Sequence, residues 1–153
     1  MAVSVNESRK IMERIGFPQE AVDTIGDCTE RVSENADFNA LVDEFIAHPE
    51  NLDSVLERLK VLSEQLGENE YTMNMCLLLG ACPALRERYA EKGIDEAIFW
   101  KSIEDMRWKL HECMDCEEVW GTFVPHWYRG FFEMTRFGLG RFQFEETDFD
   151  ADY

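Results

Sequence analysis

Positive charge is scarce in this chain: 15 lysines and arginines face 32 aspartates and glutamates, for a formal net charge of −17. Nucleic-acid affinity rests on neutralising phosphates, so a surface this negative argues against DNA or RNA as partners. The same deficit opposes docking on anionic lipid. Long apolar runs are also missing, since none approaches the roughly 18 residues that a membrane span needs. Residues 1–8 carry neither the basic patch nor the apolar core of a signal peptide. A cytoplasmic protein is expected. The five cysteines (28, 76, 82, 113, 116) are odd in number and scattered among helical patterns, which fits reduced thiols and not a disulfide framework.

Catalytic signatures are equally sparse. No Gly-x-Ser-x-Gly elbow, Walker-type phosphate loop or dinucleotide fingerprint occurs. Carboxylate pairs such as Glu117/Glu118 and Glu145/Glu146 arise by chance in so acidic a chain and read as solvated surface. There is no internal repeat and no low-complexity segment. At 153 residues the chain suits one domain, large enough to bury roughly two thirds of its unfolded surface.

What is present is helical periodicity. Ser4-Val-Asn-Glu7 reads as a capping box opening a short helix that stops at Gly16. Pro18 suits the start of a second helix, through Val32. A third is predicted over 38–48, limited by Pro49, with His48 capping its last carbonyls. Leu52, Val55, Leu56, Leu59, Leu62 and Leu66 define a fourth, capped by Asn51 and ended before Gly67. The fifth starts near Asn69 and should kink or break at Pro83 before resuming over 85–92. The sixth spans about 95–113. A loop is expected over 117–124, with Pro125 opening a last helix over 126–137.

One segment alternates with a period of two: Phe142 and Phe144 on one face, Arg141, Gln143 and Glu145 on the other. No second convincing strand pattern accompanies it. A lone strand leaves its backbone groups unpaired, so a partner from outside the chain is expected, and with it a larger protein. The predicted fold is all-α, one domain of six to eight helices with a single C-terminal strand. It occupies 1–144 and is followed by an acidic, mobile tail over 145–153.

Two constellations invite chemistry. His111, Cys113 and Cys116, with His126 ten residues further on, offer four zinc-type ligands, enough for a Cys2His2 site. The second knuckle supplies only His126, however, and Cys113 continues the apolar stripe of helix six, so no metal is expected. The stretch from Trp120 to Phe132 is aromatic. Trp127, Phe131 and Met134 fall at helical spacing as a core face, while Tyr128 and Phe132 lie round the side. So wide an apolar surface suggests a second buried contact, with a part of the protein beyond this chain.

Phe99-Trp-Lys-Ser-Ile-Glu-Asp-Met106, Trp120-Gly121, His126-Trp127 and Phe137-Gly-Leu-Gly-Arg-Phe-Gln-Phe-Glu145 together resemble the amino-terminal helical domain of bacterial GNAT-like N-acyltransferases. The closing Leu-Gly-Arg-Phe-Gln-Phe-Glu run is the most specific match, and the similarity covers most of the chain after about residue 35. The resemblance implies a carboxy-terminal acyltransferase domain, absent here, that takes acyl-CoA and acylates an amine. That family's coenzyme loop, Arg/Gln-x-x-Gly-x-Gly/Ala, is not reproduced: Arg136-Phe-Gly138-Leu-Gly140 is one residue short and follows a helix. This chain alone is therefore expected to be inactive and to hold no cofactor. Its role would be to support or cover the substrate site. The candidate substrate-contact or interdomain residues are Trp120, His126, Trp127, Tyr128, Phe131, Phe132 and Arg141. The competing expectation is a non-catalytic helical interaction module, dimerising through the terminal strand.

Overall fold

Helix signals written in the sequence open and close most of the elements. The computed structural model describes residues 4–110 and 117–136, with side chains at 4–105 and 121–135. Among these residues there are seven α-helices, one 3-10 turn over Pro49–Asn51 and no strand. The helices are α1 (Val5–Ile15), α2 (Gln19–Val32), α3 (Ala36–Ala47), α4 (Leu52–Leu66), α5 (Glu70–Glu91), α6 (Glu96–Leu110) and α7 (Glu117–Arg136). The expected strand at 141–145 and the acidic tail lie outside the described residues.

Ser4 caps α1 by accepting the Glu7 backbone N–H at 3.2 Å. Asn35 and Asn69 do the same for α3 and α5. Gly16 and Gly67 close α1 and α4 at φ of 88° and 70°, a left-handed conformation that glycine adopts without steric cost. His48 ends α3, but through its backbone N–H to the Glu44 carbonyl; its ring instead pairs with Glu50 at 3.3 Å. Asn51 stands at the start of α4 yet makes no side-chain cap, because the preceding 3-10 turn already leads into the helix.

Two prolines expected at helix boundaries lie inside helices. Pro83 does not break α5, which runs unbroken through it. Proline removes one intrahelical hydrogen bond, a cost of about 3 kcal/mol. Burial of the surrounding run (Met75, Leu77, Leu78, Leu79, Cys82, Leu85) offsets that loss, at about 1.5–3 kcal/mol for each large side chain. Pro125 likewise lies inside a helix: the expected loop at 117–124 is the first half of α7. Val124 and Trp127, either side of this proline, are buried, so packing holds the helix together there.

The bundle is organised around α5, which touches each of the other six α-helices. Twelve of its side chains are buried, on all sides, as a helix enclosed by neighbours requires. Ion pairs fasten the outer helices. Arg31 holds Glu68 bidentately at 2.7 and 2.8 Å. Arg58 grips Glu44 across α3 and α4, and Arg86 ties Glu7 of α1 to Glu96 of α6. Lys10, Arg14 and Arg86 gather 4.9–5.2 Å from the centre of the Trp100 ring, a cation–π contact that seats α1 on α6. No described helix is long and apolar enough to cross a membrane.

Candidate functional site

Helix α7 carries nearly all the residues singled out in the sequence, and its path decides what they can do. It runs alongside α5 in the same direction, with Gly121 against Tyr71, Tyr128 against Cys82 and Phe132 against Arg88. Its described residues are all buried or half-buried.

Trp127, Tyr128, Phe131 and Phe132 all point into the chain's own core, at 4%, 0%, 1% and 0% exposure. Trp127 meets the edge of Phe131 at 4.2 Å, and Phe132 meets Phe45 of α3 at 5.2 Å. The Phe132 ring also lies 4.8 Å from the Arg88 guanidinium, which donates to the Ile46 carbonyl. The wide apolar side that suggested a contact outside the chain is thus filled from within. With α5, α4 and the Pro49–Asn51 turn packed on α7 and Phe45 of α3 against Phe132, more than one flank of the helix is core.

The Tyr128 hydroxyl and the Cys82 thiol are neighbours deep in this layer, and the thiol donates to the Leu78 carbonyl at 3.5 Å. Burial pushes the Cys82 thiol up to about 12 and Tyr128 well above its ordinary value. Neither group ionises near neutrality, so neither serves as acid, base or nucleophile there.

His126 is different. It is 40% exposed, with Nε2 3.7 Å from Asp53 Oδ1 at the start of α4. Burial, then the nearby Arg129 charge, hold its pKa below 6.5, and Asp53 opposes them. At neutral pH the ring is uncharged and able to accept a proton. Such an imidazole stays neutral in the folded state while the unfolded chain takes up a proton. Stability is therefore intact above pH 6.5 and declines as pH falls from there through the folded value. Glu44 and Glu68, held below 4.5 by Arg58 and Arg31, keep their contributions until pH falls beneath that range. We expect the thermal midpoint to fall by about 1–2 °C between pH 7 and 5.5, and His126→Gln to abolish that early decline. An unchanged decline in the variant would assign it to another group.

Trp120 belongs to α7, but its side chain and the whole of Arg141 lie outside the described residues. So do His111, Cys113 and Cys116. Among the described residues no three His, Cys, Asp or Glu side chains come together as a metal site. Arg9, Arg14, Arg31, Arg58 and Arg86 are each paired with a carboxylate.

Two surface grooves went unnoticed in the sequence. The larger, about 500 Å³, runs over α5 between α1 and α3, with Val42, Ile46, Pro83 and Ala84 in its wall and Glu7 and Arg86 among its charges. Gly80 and Ala84 leave α5 thin on this side, and that small-residue spacing was the available signal. The other, about 290 Å³, lies between α3 and α4 beside Val61 and the Arg58–Glu44 pair. Neither touches any residue of the α7 set.

No curated protein and no solved structure matches the chain. Residues 6–134 match the family described as the N-acyltransferase N-terminal domain. That span includes almost every described residue, from the first turn of α1 to the end of α7, and the chain accordingly belongs to the N-acyltransferase N-terminal domain family.

Proposed function

We propose that this domain lies against an acyl-CoA-dependent N-acyltransferase domain in the cytoplasm and supports or covers its substrate site. Family membership over residues 6–134 is the observation that carries this reading. The coenzyme belongs to the other domain, consistent with arginines here being committed to carboxylates. Contact falls to the half-buried outer side of α7, where His126, Arg129 and Glu133 recur at helical spacing. Trp120 and Arg141 remain candidates for that contact from the sequence alone. Trp127, Tyr128, Phe131 and Phe132 brace it from beneath.

The test uses the protein carrying both parts and follows amine-dependent release of the coenzyme thiol from acyl-CoA. Combining His126→Ala with Arg129→Ala should lower kcat/KM by about tenfold, as expected when a positioning contact is lost, with circular dichroism and thermal midpoint essentially unchanged. Activity untouched by the pair would remove α7 from the contact. Absence of transfer to any amine in a broad panel would favour a non-catalytic helical module, dimerising or binding other proteins.

A further inference from the structure

Helices α1 and α3 each pack on α5 and leave a strip of it uncovered between them. The strip runs from Gly80 to Ala90, about 15 Å of helix at the usual rise. It floors the larger groove, whose volume of about 500 Å³ is that of a small-molecule site. Val42 and Ile46 of α3, with Pro83 and Ala84 of α5, make the floor apolar. Two carboxylates in the lining are uncommitted. Asp43 and Glu87 are exposed, and neither has an ion-pair or hydrogen-bond partner among the described residues. Arg86, the only cation among the described lining residues, is held instead by Glu7 at 2.9 Å and by Glu96. An apolar floor under unpaired negative charge suits a cation with an apolar body and repels a carboxylate or phosphate.

We propose that this groove binds a small amphiphilic amine, its alkyl or arylalkyl chain on the floor and its ammonium at Asp43 and Glu87. A strip about 15 Å long offers well under the roughly 800 Å² per partner that a stable protein interface buries. Its size thus favours a small molecule over a basic segment of another protein. The two attractions differ in kind. Burial of the chain sets the affinity, at up to about fourfold for each fully covered methylene. The exposed carboxylates set the selectivity, at up to about fivefold each, and salt weakens their share. The site stands apart from the α7 surface and does not rest on the role proposed above.

The experiment titrates octylamine into the isotope-labelled chain and follows backbone amide shifts by NMR, with hexylamine, octanol and octanoate as comparisons. Saturable octylamine binding is expected, with Kd at or below about 1 mM and shifts concentrated over residues 42–46 and 80–90. Hexylamine should bind about fivefold more weakly, having two methylenes fewer. Octanoate should be at least about tenfold weaker than octylamine. Asp43→Asn combined with Glu87→Gln should bring octylamine about tenfold down, to the level of octanol, with the thermal midpoint unchanged. Ala84→Leu, which fills the floor with a good helix former, should abolish binding. No saturation by about 10 mM, or shifts centred on any other part of the chain, would overturn the proposal. So would octanoate binding as tightly as octylamine, or an affinity untouched in the folded carboxylate variant. Dimerisation seen by light scattering and lost in Ala84→Leu would give the groove to a second copy instead.

Discussion

Gly121→Ala is expected to destabilise the protein by at least about 3 kcal/mol, the reverse of what helix propensity alone implies. In an open helix interior, replacing glycine by alanine gains about 1 kcal/mol. Here a β-carbon would stand 2.5 Å from Tyr71 Cβ and 2.7 Å from Tyr71 Cα. The second of those atoms is backbone, so no rotamer change relieves the clash, and α5 and α7 must move apart. Separation would loosen the rings that follow on α7 (Trp127, Tyr128, Phe131), all buried, which places the cost at or above the usual range for overpacking. Urea denaturation followed by tryptophan fluorescence reads the effect. A midpoint equal to or above that of the parent protein would mean the two helices are not in backbone contact at this point.

Phe132→Ala is the second large effect, expected at about 3–5 kcal/mol. The ring is fully buried, edge-on to Phe45, and covered by the Arg88 guanidinium. Truncation opens a cavity where α3, α5 and α7 meet and leaves the Arg88 charge without its aromatic face. Phe132→Leu should recover most of the loss. The measurement also distinguishes two uses of the residue. A side chain reserved for another domain would cost little, within about 0.5 kcal/mol, when removed from this chain. A loss of several kcal/mol identifies it as core.

Much of the fold was legible because local chemistry and final structure agree. The caps at Ser4 and Asn69 and the left-handed glycines Gly16 and Gly67 act within a few residues of themselves, so the surrounding bundle does not alter them. The prolines were misread because their effect is decided at long range. Pro83 and Pro125 carry a local penalty that only tertiary packing outweighs, and nothing near them in sequence reveals that packing. The aromatic side of α7 went astray for a related reason. Periodicity marks which residues are apolar but not how many neighbours will arrive, and α5, α4 and the Pro49–Asn51 turn all pack there, with Phe45 of α3 against Phe132. His126 was singled out as a candidate, yet its partner Asp53 lies on another helix and is joined to it only by folding. The groove over Pro83 also needs folding to bring α1 and α3 to its sides, although Gly80 and Ala84 gave a local signal of it. The family match over residues 6–134 agrees with the resemblance carried by the aromatic and glycine motifs.

A bundle in which one central rod meets every other helix has no detachable half. Loss of any outer helix would bare part of α5 to water, so melting should be concerted, and amide protons near its middle, around Leu77 and Leu78, should exchange only when the whole domain opens. Whatever is joined to such a body is therefore presented with a stiff wall instead of a hinge.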